Sequence, residues 1–237
     1  MHEQELQQQA ALLGAPVTDE QAAQLARYQA LLAEWNERLN LTAITDPGEV
    51  RVRHFLDSLS VASVAGDLNG QRLIDIGTGA GFPGLPLRIV YPQMGLTLVE
   101  SVTKKTRFLE EVVRELGLTD VTISDERAET LGQQSAHREQ YDWAVARAVA
   151  EMRVLAEYLL PFCRVGGRML AMKGQSAPEE VKSAGHAVEL LGGSAPQLHE
   201  VHLPGREEVY YLVLSEKVRE TPPDYPRRPG RPAKRPL

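Results

Sequence analysis

The chain has a single cysteine, Cys163, among 237 residues. One thiol forms neither a disulfide framework nor a cysteine metal cluster, so a reducing, cytoplasmic setting is expected. Cys163 closes the apolar run VLAEYLLPFC, which reads as part of a helix over Glu151 to Cys163. No apolar run is long enough to span a membrane. The stretch MHEQELQQQ is polar and acidic, unlike a signal peptide. Excess positive charge is missing as well. The net charge of −6 argues against bulk nucleic-acid binding. That average hides an asymmetry. Thr221 to Leu237 carries +4, which leaves −10 for the other 220 residues. His137, His186, His199 and His202 show no ligand spacing, so no metal is expected.

What is present alternates. Residues 18–39 read as an amphipathic helix, with Leu25, Tyr28, Leu31, Leu32, Trp35 and Leu39 at spacings of three and four. Thr18 and Gln21 resemble a capping box at its start. This helix is expected to serve packing or to form an RNA-facing lid. A second helical segment, Glu49 to Ala65, carries RHFLDSLS. Short strands are expected at 72–76, 96–100, 121–125, 141–148 and 168–173, with helices at 104–116, 151–163 and 178–191. QLHEVHL and VYYLVLS close the pattern as an antiparallel edge hairpin. The expected fold is α/β, a mostly parallel seven-stranded sheet covered on both faces. Residues 1–66 would form a helical extension, 67–219 the α/β domain, and 220–237 a basic tail. With six prolines from Thr221 onward, that tail is expected to be extended or disordered.

DIGTGAGFPG, Asp75 to Gly84, puts four glycines behind the first strand. In an open parallel sheet, ligands bind beyond the carboxyl ends of strands. Gly77 and Gly79 permit positive φ and remove Cβ atoms that would block a ligand. Both dinucleotides and S-adenosyl-L-methionine use such loops. Pro83 and Pro86 interrupt the helix start where a pyrophosphate wants free N–H groups. Asp75 would repel a pyrophosphate but suits an α-ammonium, directly or through water. Glu100, at the end of the second strand, is placed to accept hydrogen bonds from ribose hydroxyls. Arg127-Ala128-Glu129 is placed to flank an adenine ring.

These stretches, with HFLDSLS, VESVTKKTRFL, RAE, ARAVA and YPRRPGRPAKRPL, resemble the RsmG (GidB) family of bacterial 16S ribosomal RNA methyltransferases. The resemblance runs from about Trp35 to the C-terminus. It implies a Rossmann-like class I methyltransferase domain, S-adenosyl-L-methionine as donor, and transfer to N7 of one guanine in the small ribosomal subunit. Carried onto this chain, it implies donor contacts at Gly77, Gly79, Phe82, Glu100, Ser101, Val102, Ala128, Glu129 and Arg147. The partner expected is 16S rRNA, for a protein acting as a monomer without a membrane or a metal.

The residues fit that chemistry by what they omit. ARAVA stands where amine methyltransferases often carry Asp/Asn-Pro-Pro-aromatic, and no cysteine nucleophile lies near it. Guanine N7 has an in-plane lone pair and no proton, so positioning suffices and no catalytic acid–base pair is expected. Arg147 is read either as a guanine or phosphate contact or as a strand-end salt bridge. Lys173 is read as a phosphate contact or a surface lysine. His54 and Asp57, at i and i+3, are expected to make a structural hydrogen bond or a wall of the target pocket. Arg227, Arg228, Arg231, Lys234 and Arg235 are expected to follow RNA phosphates without touching the donor site. A nicotinamide-dependent oxidoreductase and a non-catalytic ribosome-assembly factor remain as alternatives.

Overall fold

The computed structural model describes residues 3–237. Helices α1 (Glu3–Leu12) and α2 (Asp19–Leu39) come first. The Thr18 hydroxyl accepts from Gln21 N, and the Gln21 side chain accepts from Thr18 N, which completes the capping box. α2 ends at Asn40, whose left-handed φ of 48° stops the helix. Residues 47–65 then form an interrupted helical run: α3 (Pro47–Val50), a π-helical turn (Arg51–Leu56), α4 (Asp57–Leu59) and α5 (Ala62–Ala65).

The sheet follows: β1 (Arg72–Ile76), α6 (Gly84–Val90), β2 (Gly95–Val99), α7 (Thr103–Glu115), β3 (Val121–Ser124), α8 (Ala128–Leu131) and β4 (Tyr141–Arg147). Next come α9 (Met152–Leu159), β5 (Cys163–Lys173), α10 (Ala177–Leu190), β6 (Gln197–His202) and β7 (Val209–Glu216), with a short α11 (Arg231–Lys234) in the tail. The strand order is β3-β2-β1-β4-β5-β7-β6. The first five strands pair in parallel, while β7 runs antiparallel to both β5 and β6. β1 and β4 are nearly continuous apolar runs because helices cover both faces. β6, at the edge, is mostly exposed.

Two apolar clusters lie on the two faces. One joins Leu6, Leu25, Tyr28 and Phe55 to Leu85, Phe108 and Leu170, so α1, α2 and the π turn share a core with the sheet. α2 packs against α6 and α7. Gln21 and Gln24 bond Val90 O and Leu116 O, and Arg27 pairs with Glu115. α2 thus serves packing, one of the two roles expected of it. The other cluster holds Ile74, Ala144, Leu155, Phe162 and Ala187.

Three expectations need correction. Cys163 opens β5 instead of closing α9. Pro161 explains this, since it lacks the N–H that the next helical turn needs. The thiol is fully buried and pushed up to about 12 by burial, so it is no nucleophile. The segment 49–65 is broken by a π turn. The tail is neither loose nor disordered. Arg138 donates to Thr221 O and Tyr225 O, and Gln133 to Pro226 O. The guanidinium of Arg227 grips the fully buried carboxylate of Glu157.

Candidate active site

β1 ends in the middle of the sheet, flanked by the ends of β2 and β4. The loop after it is braced from below. Asp75 Oδ2 accepts from Thr78 Oγ1 at 2.6 Å and from Gly84 N at 2.8 Å. Asp75 is fully buried, and burial raises its pKa to about 6. It therefore shapes the loop and has no surface on which a ligand's ammonium could dock directly. The Tyr28 hydroxyl donates to Ala80 O, which ties α2 to the same loop. Gly77 and Gly79 have φ of 68° and 62°. A Cβ at Gly79 would meet only Gly77 O, at 4.0 Å, so the loop leaves open space there.

The start of α6 offers an anion nothing. Gly84 N is taken by Asp75, Leu85 N by Gly81 O, and Pro83 and Pro86 have no N–H. A pyrophosphate site needs those donors free. The dinucleotide alternative fails on this point.

Above the loop lies a cleft lined by Gly77, Glu100, Ser101, Ala128 and Glu129, with Val149 and Tyr158 behind. Glu100 closes one side. Its Oε2 accepts from Gly79 N at 3.1 Å and its Oε1 from Val102 N at 2.9 Å. Those bonds fix the carboxylate relative to the glycines. Glu129 is 2 % exposed, and its Oε1 accepts from Gly230 N at 2.8 Å. Ala233 completes the wall, so the tail touches this cleft. Val102 contributes its backbone to Glu100, and its side chain lies outside the cleft.

A second cleft opens where residues 147–150 pass from one side to the other. Arg147 and Ala148 line it, whereas Val149 and Ala150 line the first. Ala148 takes a left-handed φ of 55°, an uncommon state for a side-chain-bearing residue and one often found at functional sites. Here Arg147 donates to Arg53 O at 2.8 Å and to Asp57 Oδ2 at 3.1 Å, with His54 Nδ1 at 3.2 Å. Its guanidinium also lies 5.1 Å from the centre of the Phe82 ring. Phe82 stacks on His54 and Tyr28. Its side chain is thus buried in this aromatic stack and lines neither cleft. His54 Nδ1 lies between Arg147 and Arg53 O, the latter at 3.1 Å, and its Nε2 is bonded to Thr42 Oγ1 at 2.8 Å. Burial, helped by Arg147, lowers the His54 pKa to about 4, so the ring is neutral at pH 7.

Lys173 lines this cleft too, but its ammonium is held by Glu180 at 2.7 Å and Ala150 O at 2.9 Å. It fixes the 147–150 segment, so the structure makes it neither a free phosphate contact nor a surface lysine. Arg227 likewise holds Glu157 through Nε and Nη2. Arg228, Arg231, Lys234 and Arg235 are exposed and carry no ion pair among the described residues. A wider groove between α2 and residues 40–50 lies away from the glycine loop and brings no comparable set of chemical groups together. Tyr158 and Ala233 had not been assigned to these walls by sequence reasoning and carried no local signal, whereas Asp57 had been read, from its i, i+3 spacing to His54, as a structural hydrogen bond or a wall of the target pocket.

A family model described as "rRNA small subunit methyltransferase G" matches residues 21–209. A protein of that name from Roseiflexus castenholzii is 52% identical over 224 residues, 94% of this chain and 95% of its own. One from Alkaliphilus metalliredigens is 48% identical over 225 residues, 95% of this chain and 94% of its own. The chain belongs to the rRNA small subunit methyltransferase G family. Among solved structures, a predicted O-methyltransferase from Agrobacterium tumefaciens aligns with TM-score 0.55 at 18% identity, over 68% of this chain and 80% of that one. A 16S rRNA (adenine(1408)-N(1))-methyltransferase from Catenulisporales acidiphilia aligns with TM-score 0.53 at 16% identity, over 65% and 90%. These likenesses give the fold, a class I methyltransferase α/β sheet. In rRNA small subunit methyltransferase G terms, the two clefts are what this chain builds at the carboxyl end of that sheet. Among the described residues no group of three metal-ligating side chains comes together, and no helix is long and apolar enough to cross a membrane.

Proposed function

We propose that the protein methylates N7 of a guanine in 16S rRNA of the small ribosomal subunit, with S-adenosyl-L-methionine as donor. The observation that carries this reading is the pair of clefts meeting at residues 147–150. Bound S-adenosyl-L-methionine supplies an electrophilic methyl group on its sulfonium centre. Gly77 and Gly79 would lie along its methionine part. Glu100 would accept from the ribose hydroxyls, and Ala128 and Glu129 would flank the adenine. The second cleft offers no mobile acid–base pair. Its histidine is neutral, and its arginine is already bonded to Asp57. That suits guanine N7, which has no proton to lose. The chain's own contribution is then to position the base and exclude water. Arg228, Arg231, Lys234 and Arg235 supply the free positive charge near the first cleft that an otherwise acidic body needs to hold phosphate. The reading includes a cytoplasmic protein acting as a monomer.

Labelled-methyl transfer to small-subunit RNA, followed by nucleoside analysis, tests it. The expected product is 7-methylguanosine. Label in another nucleoside, or none in RNA, would overturn the reading.

A further inference from the structure

The second cleft is lined by Arg53, His54, Asp57, Arg147, Lys173 and Tyr210 among others. Most of its polar capacity is committed within the protein. Lys173 is held by Glu180 and Ala150 O. Arg147 is spread over Arg53 O, Asp57 and His54. His54 uses both ring nitrogens, toward Arg147 and Thr42. Among the described residues the Arg53 guanidinium and the Tyr210 hydroxyl have no partner, and Asp57 is the one acidic group lining the cleft. Arg147 occupies Oδ2, and among the described residues no donor engages Oδ1.

We propose that this cleft receives the target guanine unstacked from its RNA, and that Asp57 reads it by accepting hydrogen bonds from N1–H and the 2-amino group. The inference rests on the methyltransferase reading above and adds the residue that selects the base.

The chemistry singles out guanine. An enzyme that acts on a base flips it into a pocket and reads its Watson–Crick edge there. Guanine presents two adjacent donors on that edge, which match a carboxylate whose Oδ1 is unengaged and whose Oδ2 has a second lone pair beside the one Arg147 uses. Adenine and cytosine each set one donor group beside an acceptor, and uracil sets its N–H between two acceptors. A carboxylate meets an unfavourable acceptor in all three. The N1/N2 edge also lies across the base from N7, so holding it leaves N7 uncovered.

Charge argues the same way. Methylation at N7 leaves the base with a positive charge. A cleft ringed by arginine and lysine would resist that, and Asp57 is the anion among the residues named. Holding Arg147 on Asp57, Arg53 O and His54 also engages its Nη1 and Nη2 within the protein, away from the N7 lone pair. Tyr210 adds an aromatic group to the wall.

The test uses the full-length protein and small-subunit RNA. Wild-type product is first mapped to the methylated nucleotide. RNA carrying guanosine or inosine at that position is then compared, since inosine lacks only the 2-amino group. Loss of one member of a bidentate base contact should lower kcat/KM for inosine by roughly 10- to 100-fold. Asp57→Asn should lower kcat/KM on guanosine by a similar factor and nearly erase the preference over inosine. Its donor affinity, measured by calorimetry, should be unchanged, because the first cleft is built without Asp57. Equal wild-type rates on guanosine and inosine overturn the inference, and so does Asp57→Asn that keeps the wild-type preference. If Asp57→Asn fails to fold, the wild-type comparison decides alone. Absence of 7-methylguanosine overturns the underlying methyltransferase reading, whereas equal rates on the two RNAs overturn only the role of Asp57.

Discussion

The two clefts meet at residues 147–150 and share no lining residue. The first has three corners within a few residues of a parallel strand, Gly77 after β1, Glu100 after β2, and Ala128 with Glu129 after β3, and is closed by Tyr158 of α9 and Ala233 of the tail. Sheet register alone brings those corners together. The second is made by elements with no such common geometry. It draws His54 and Asp57 from a π-helical turn and α4, Arg147 from β4, Lys173 from β5 and Tyr210 from β7. Its walls are held by ion pairs and hydrogen bonds between side chains. A site built on strand ends tolerates change elsewhere, while a site built on mutual polar contacts depends on each partner.

Three changes bear on that contrast. Gly79→Val should have the largest effect on the first cleft. The position has φ 62°, so a branched side chain is strained there by about 1–3 kcal/mol, and it would also fill the open space above the loop. Donor binding by calorimetry should be lost while circular dichroism shows a folded sheet. Near-normal affinity would break the assignment of that cleft.

Arg227→Ala should be next. It leaves the fully buried Glu157 carboxylate without its partner. Breaking such a pair costs about 3 kcal/mol, somewhat discounted because Arg227 reaches the surface. Denaturant unfolding should show that loss. Donor affinity should fall too, because the tail that Arg227 anchors carries Gly230 onto Glu129 and Ala233 into the cleft wall. Unchanged donor affinity would show that the first cleft needs no tail.

The smallest effect expected is from replacing Arg228, Arg231, Lys234 and Arg235 together by alanine. Stability should hardly move, since these side chains are exposed and unpaired among the described residues. RNA affinity should lose salt dependence, by about 0.7–0.9 in log–log slope for each phosphate contact removed. A slope equal to wild type would remove the tail from the RNA interface.

Much of the first cleft was legible in advance. Glycines behind an apolar strand, and a carboxylate at the next strand's end, are local signals. The fold was legible for the same reason: period and punctuation in RLIDI, LTLVE and the helix read at 104–116 need no distant partner. Phe82 was carried into the donor site by the family resemblance. Its side chain turns instead into the aromatic stack with His54 and Tyr28. The tail was misread because proline and charge are local features, whereas its anchors, Arg138, Glu157 and Glu129, are scattered through the chain.

By itself, then, the sequence determined the strand and helix order, the α/β class, and the glycine loop at the end of β1. Those follow from short-range periodicity and from backbone conformations that few residues adopt. Tertiary structure alone decided how charges are spent. Whether Arg147, Lys173 and Arg227 meet RNA or a carboxylate depends on which acid the fold brings within about 3 Å, where desolvated pairs are strongest. Asp57, Glu180 and Glu157 took those three, and Arg228, Arg231, Lys234 and Arg235 were left facing solvent.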